Sequence, residues 1–572
     1  MPCKIVVFSP IIRLASSIYD FSVFFHLHSP EDALPSSISN YLEDENMPTI
    51  PTDTTASVEE IPPSPEAATA EKHTYGQILK SSALIGGSSM LNVAIGMVRT
   101  KAMAVLLGPA GFGLMGVYGS IADFALSIAS MGINTSGVRQ IAEAVGSGEA
   151  DRIAQTVVVL RRTSVILGLF GAVLLVLFSS QVSNLTFGSN QHAAAVALLS
   201  LAVFFRLVSG SQGALVQGMR RISDLAKMSL LGAAYSTVIS IPMVYFLRED
   251  GVVPALVVVA AMSIVSSWWY SRKVRVETPS MTVRQVRHEA ASLLKLGFAF
   301  MACWVLTTGA AYAVRTMVLR MIGFEAAGFY SSAWTIGGLY VGFILQAMGA
   351  DFYPRLTAVA ADNTECNRLV NEQAQISLLL AGPGVIATIT FTPIVIALFY
   401  SAKFGAAVEV LRWICLGATL QVITWPMGFI PMAKGKSNLI VATELAWAIV
   451  NVGLSWLCLK SFGLKGAGIA FFGSYIFYGF MIWPVARRLS GFRWSDVNKR
   501  TGLFFLSLIA AVFCCFQALP SFWATIVGSL SVMVSGVYSI RVLFTLISHN
   551  RIPSPVLRLL VRFGLASQSS AR

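Results

Sequence analysis

Seven ionisable residues sit inside or at the ends of long apolar runs: Arg99, Lys101, Asp123, Arg206, Arg315, Arg320 and Glu444. A charge at the centre of a membrane-spanning helix costs roughly 2.5–3.5 kcal/mol on insertion scales, so such groups tend to face a hydrated interior. Arg206, in AVFFRLVSG, lies near the middle of its run, too deep to snorkel easily. Arg99, Lys101, Arg315 and Arg320 stand at run ends, where snorkelling to headgroups and a place in a wet interior are both open. Asp123, midway along its run, is either a counter-ion for an arginine or an ion-coupling group. Glu444 is expected to pair with Lys434 or Lys436. Cations outnumber anions in the set. A chamber lined by arginine suits a diphosphate, because guanidinium offers planar, bidentate donors and keeps its charge when partly desolvated.

Other chemistries lack their residues. The six histidines all lie outside the centres of the apolar runs. No glycine-rich phosphate loop ending in Lys-Ser/Thr occurs, so nucleotide hydrolysis is not expected. Of the seven cysteines, five fall within apolar runs, with no spacing for a metal site or a disulfide framework. The connecting segments are short, leaving no room for a soluble catalytic domain. These features point away from an enzyme and call for neither cofactor nor metal.

The elements that must position the charged groups are plain from hydropathy. The chain of 572 residues is 55% hydrophobic and 12% charged, with a mean hydropathy of +0.69; soluble domains carry about twice that charge. Runs of about 20 apolar residues succeed one another, each able to cross a hydrocarbon core. The spacing predicts spans at 80–101, 112–133, 156–178, 192–217, 225–247 and 252–271, then 293–317, 327–350, 376–400, 408–432, 439–460 and 466–486, and finally 502–520 and 522–547. The expectation is an all-α polytopic membrane protein of about 14 helices. No ten-residue alternation suggests a β-barrel.

The first two sets of six look like copies. VRT at Val98–Thr100 recurs at Val314–Thr316, 216 residues on. At that step Arg139 falls on Arg355, Arg152 on Arg368, Arg220 on Lys436 and Arg272 on Arg488. Six spans per copy is even, so both lobes point the same way and are related by a pseudo-two-fold axis along the membrane normal. The net charge of +13 does not indicate nucleic acid, since Lys and Arg gather in alternate loops. By the positive-inside rule both termini are cytoplasmic. The resulting plan is a Pro-rich, acidic, disordered appendage over 1–72, an N-lobe over 73–287, a C-lobe over 288–488, and two extra helices with a basic tail over 489–572. Met47 offers an alternative start.

The stretch GMVRTKAMAVLLGPAGFGLMGVYGSIADFALSIASMGINTSGVRQIAEA resembles the first two spans of bacterial O-antigen translocases, the lipid-linked oligosaccharide flippases of the multidrug/oligosaccharidyl-lipid/polysaccharide exporter superfamily. DFYPRLTAVAAD and MAKGKSNLIVATE resemble later segments of that family, nearest to the enterobacterial common antigen lipid flippase branch. The resemblance covers residues from about 75 to 488. It implies two six-helix lobes around a cationic cavity that opens alternately to each side of a bacterial inner membrane and passes undecaprenyl-diphosphate-linked oligosaccharide, such as an O-antigen or other lipopolysaccharide repeat unit, to the outer leaflet. Lipid II flippases of the superfamily carry a cavity arginine at a position similar to Arg99, whose repeat counterpart is Arg315, and Lys101 matches a lysine of the nearest branch. The resemblance also implies substrate contact with membrane lipids, and polysaccharide polymerase and chain-length regulator proteins as possible partners. Alternatives are a lipid II flippase, a cation-coupled drug exporter of the superfamily, and a non-transporting scaffold.

Overall fold

Apolar runs in lipid must satisfy every backbone N–H and C=O internally, which leaves helices as the open choice for segments of this composition. The computed structural model describes residues 65–274 and 281–546, with side chains from residue 91 onward at most positions. The expected appendage as far as residue 64 and the tail after 546 lie outside the described residues. The chain divides into two units, Met1–Lys72 and His73–Arg572, and the bundles of helices belong to the second.

Among the described residues there is no strand. The first helical stretch, Pro65–Ala129, begins within the segment expected to lack structure and breaks at Gly108 (φ 66°, ψ −173°) into α1 (65–107) and α2 (109–129). Glycine tolerates that left-handed φ, and Pro109 then supplies a favourable first helical residue. Next come α3 (Ile133–Ser147), α4 (Ala150–Leu177), α5 (Ser179–Phe187), α6 (Ala193–Gly218), α7 (Ile222–Leu247) and α8 (Val252–Ser271). The second copy comprises α9 (Val283–Met321), α10 (Phe324–Ala358), α11 (Asn363–Phe399), α12 (Ala407–Ala433), α13 (Ser437–Phe462) and α14 (Lys465–Ser490), and α15 (Asp496–Ala518) and α16 (Ser521–Leu546) close the chain. Eleven helical stretches among the described residues are long and apolar enough to span a membrane; two of them, Leu91–Ala129 and Ile222–Ser271, each hold two of the expected spans. This is a multi-pass membrane protein.

The duplication appears in the packing. In the first bundle α6 lies against α4 and α8, and α7 pairs with α8; in the second α12 lies against α11 and α14, and α13 pairs with α14. Even an irregularity repeats. The α4–α5 junction at Phe178 (φ −94°, ψ 8°) has its counterpart in the kink of α11 at Phe391 (φ −97°, ψ 16°), 213 residues on. The two terminal helices pack on α11.

The bundles meet along α2, which runs from the face of the Gly108 turn to the face of the Gly132 turn. Contact is close enough to require glycine: a Cβ on Gly328 of α10 would lie 1.9 Å from the Pro109 carbonyl oxygen, and one on Gly132 would lie 2.1 Å from that of Gly297. Between these ends the Phe124 and Tyr312 rings stack at 5.5 Å, and the Thr308 hydroxyl donates to Ser127 Oγ at 2.9 Å.

Candidate functional site

The structure pairs two of the seven residues and sets a third, Arg99, against another helix of the same bundle. Arg206 of α6 donates to Asp123 of α2 at 2.8 Å. Their side chains are 41% and 50% exposed, so at mid-depth the pair borders open volume rather than packed neighbours. Arg99 of α1 donates to Ser236 Oγ of α7, and about two helical turns earlier on α1 Asn92 donates to Ser229 at 2.7 Å. A hydroxyl-rich seam continues from there: Ser263 of α8 donates to Ser209 of α6, three residues past Arg206, at 3.0 Å, and Ser267 donates to Gln212 at 2.7 Å. The first bundle thus carries two guanidinium groups, one carboxylate and many small hydroxyls at membrane depth.

Lys101 and Arg320 do something else. Lys101 Nζ, at the end of α1, donates to the Ala397 carbonyl of α11 at 2.7 Å. Arg320, at the end of α9, donates to the Asn184 and Leu185 carbonyls of α5, both at 3.0 Å. Ala397 lies 213 residues beyond Asn184, the same interval that relates the two helix breaks. Each bundle therefore extends a cation from its first helix onto the carbonyl end of the other bundle's broken helix, where the negative end of the dipole attracts it. These two residues join the bundles at the Gly108 face. Thr186 adds a hydroxyl contact to Tyr312 at 2.5 Å, and Phe112 meets the Tyr400 ring edge-on at 5.3 Å.

Arg315 lies on α9 at the seam, half-buried, with its Nε buried and lacking a hydrogen-bond partner among the described residues. The expected pairing of Glu444 with Lys434 or Lys436 is not formed. Lys434 Nζ binds the Ala360 carbonyl and Asn363 Oδ1, both at 2.7 Å, because it stands at the helix end, level with the α10–α11 turn. Glu444 instead lies within electrostatic reach of Tyr475 and Tyr478 on α14 and Cys303 on α9. Glu444 thus stands among aromatic side chains of the second bundle, whereas Arg206 and Asp123 of the first stand near small hydroxyls.

Sequence reasoning missed several members. Asn92, Ser236, Ser209 and Ser263 are ordinary residues until the helices meet. Arg412 of α12, only 6% exposed, pairs with Glu409 at 3.2 Å and sits 4.0 Å from the Phe516 ring centre; an arginine in an apolar run was the available signal. At the Gly108 face His192 shares a 2.8 Å hydrogen bond with the Tyr118 hydroxyl and packs against Phe187 at 4.1 Å. Burial holds its imidazole below the usual histidine range, opposed by the nearby Glu249 carboxylate. A surface hollow of about 620 Å³ lies beside Glu149, Arg152 and Glu289 on the Gly132 face, away from these groups, and has the solvated charges of an ordinary loop surface.

Residues 102–409 match the family described as polysaccharide biosynthesis protein. A lipid III flippase of Escherichia coli K12 is 24% identical over 412 residues, covering 70% of this chain and 96% of that one; a lipid III flippase of Shigella flexneri matches equally. Among solved structures, lipid II flippase MurJ in an inward closed conformation superposes with a TM-score of 0.59 at 14% identity, over 81% of this chain and 99% of the other. An inward-facing multidrug resistance MATE family transporter of the MOP superfamily gives 0.57 at 17% identity, over 70% and 96%. At such identities the structural likeness concerns the fold.

Proposed function

The chain belongs to the polysaccharide biosynthesis protein family, and we propose from its charged interior that it is a flippase, moving a saccharide linked through undecaprenyl diphosphate from the cytoplasmic to the outer leaflet of a bacterial inner membrane. The observation that carries this reading is the half-exposed Arg206–Asp123 pair at mid-depth, in the bundle that also holds the Arg99–Ser236 contact. A lipid-facing ion pair there would be strongly disfavoured, so the pair is read as lining a wet path. Sugar hydroxyls crossing hydrocarbon unpaired would cost several kcal/mol each, and a polar path removes that barrier. A diphosphate entering the path exchanges Asp123 for its own oxygens on Arg206 and draws on Arg99, while the prenyl chain stays in lipid. The names of the matched relatives support the substrate class.

The Lys101 and Arg320 contacts are read as one closed end of an alternating cycle: their release parts α1 from α11 and α9 from α5, opening the Gly108 face. With the basic loops on the Gly132 side, that side is assigned to the cytoplasm. No nucleotide-binding loop is visible in the sequence, so we read a gradient or the membrane potential as the energy source, with Asp123 and Glu444 as the candidate coupling carboxylates. Polymerase and chain-length regulator proteins are the partners such a step would feed.

Depleting the protein in its host and analysing lipid-linked oligosaccharides by leaflet tests the reading. An undecaprenyl-diphosphate oligosaccharide should accumulate on the cytoplasmic leaflet, cleared by the wild-type chain and not by Arg206→Ala at equal abundance. No accumulation, or full clearance by Arg206→Ala, would refute it.

A further inference from the structure

A second, smaller site lies inside the C-terminal bundle. Helices α9, α10, α13 and α14 enclose a cavity of about 50 Å³. One water in the liquid occupies about 30 Å³, so the space exceeds a single water and falls far short of a sugar ring. Its walls are aromatic: Tyr330, Trp334, Trp447 and Phe471 all line it, and the Trp334 and Phe471 rings meet edge-on at 5.1 Å. Three polar side chains point the other way in character. Trp447, Asn451 and Ser455 are 8%, 6% and 1% exposed and succeed one another at helical spacing along α13. The Trp447 Nε1 and Ser455 Oγ atoms are buried without any hydrogen-bond partner among the described residues. Buried polar groups are seldom left in that state unless something arrives to pair with them.

The occupant is constrained on each side. An indole N–H only donates, so the ligand presents an acceptor to Trp447, while the serine hydroxyl, about 12 Å further along α13 by helical rise, pairs with a different atom. The asparagine amide accepts through its carbonyl oxygen. The ring walls favour an apolar group. Among the described residues no Lys, Arg or His lines the cavity, so a carboxylate would be stranded, and a hydroxyl alone would leave most of the space empty. Thr307 is the exposed lining residue, so the mouth opens beside it on α9.

We propose that this cavity is a specificity pocket for an acetamido substituent of the transported saccharide, its carbonyl accepting from Trp447 Nε1, its N–H donating to Asn451 Oδ1, and its methyl resting on the aromatic walls. The proposal rests on the flippase reading: the first bundle holds the diphosphate, common to all such lipids, and the second reads the sugar.

The test uses the full chain in nanodiscs and three probes: undecaprenyl diphosphate, the same lipid carrying N-acetylglucosamine, and the same lipid carrying glucose. The last two differ only in acetamido against hydroxyl at one carbon. The wild-type protein should prefer the N-acetylglucosamine lipid by about tenfold in Kd, the range a filled apolar pocket supplies. Trp447→Phe, Asn451→Leu and the space-filling Ala467→Val should each lower that ratio at least threefold, with thermal unfolding matched to wild type as a control. A wild-type ratio near one, or a ratio untouched in all three variants, would overturn the pocket and leave it a cavity for ordered water. If undecaprenyl diphosphate itself fails to bind, the flippase reading falls as well; if it binds with no preference between sugars, the pocket alone falls.

Discussion

The two crossed contacts at the Gly108 face make a quantitative demand. Lys101 on Ala397 and Arg320 on Asn184 and Leu185 are charge-assisted hydrogen bonds, and all lie at partly open positions. Buried bonds of this kind contribute up to about 3 kcal/mol, and exposure reduces each to about 1 kcal/mol. The contacts share no atoms, so their effects should nearly add. Lys101→Met with Arg320→Met would then shift the balance between closed and open forms by about 2 kcal/mol, or about 30-fold. Methionine keeps the apolar stem and removes the donor. Spin labels at Gln191 and Ala402, both exposed and on opposite bundles at this face, report the change by pulsed electron resonance once exposed Cys514 is replaced. The wild-type chain should give one short distance; each single variant should add a longer one, in similar amounts, and the double variant should be mostly long. An unchanged distance in the double variant, or an effect from one cation only, would refute the paired arrangement.

Other outcomes rest on the same geometry. Gly328→Ala places a methyl against the Pro109 carbonyl, backbone that cannot rotate away, and should lower stability in detergent by about 1–3 kcal/mol, read as a lower midpoint of thermal unfolding. Gly338→Ala, with open space around it, should leave that midpoint in place. His192 holds its proton less readily when buried than when free, so the closed Gly108 face binds fewer protons than the open one. Its contribution is therefore complete above pH 6.5 and is lost as the pH falls through 6.5 towards the lowered folded value, and the Gln191–Ala402 distance should lengthen on acidification; His192→Gln should flatten that response.

Much of the architecture is legible in the sequence because lipid imposes it. Twenty apolar residues must become a helix, and the expected spans each coincide with one in the described residues. The duplication is legible through VRT and the aligned loop arginines, which are exposed or interfacial and so keep their identity while the apolar lining drifts. Asp123 and Arg206 stood out because charge at depth is costly, and they prove to be partners. Lys101 and Arg320 were visible as cations but not as cross-bundle ties, since their acceptors are backbone carbonyls, which every residue possesses. Pairing Glu444 with a nearby lysine failed for a geometric reason: proximity along the chain places Lys434 at the helix end, whereas Glu444 is carried inward among the tyrosines of α14. The orphan donors of Trp447 and Ser455 carry no signal until four helices close around them.

The most direct measurement of the central claim is leaflet transfer of a fluorescent undecaprenyl-diphosphate saccharide in proteoliposomes, wild type against Arg206→Ala and Arg206→Lys. Loss of one guanidinium contact to phosphate should weaken substrate engagement by about 1.5–3 kcal/mol, or roughly 10- to 150-fold, with lysine recovering part of it as a point charge. Transfer at the wild-type rate by properly folded Arg206→Ala protein would contradict a cationic path for the diphosphate.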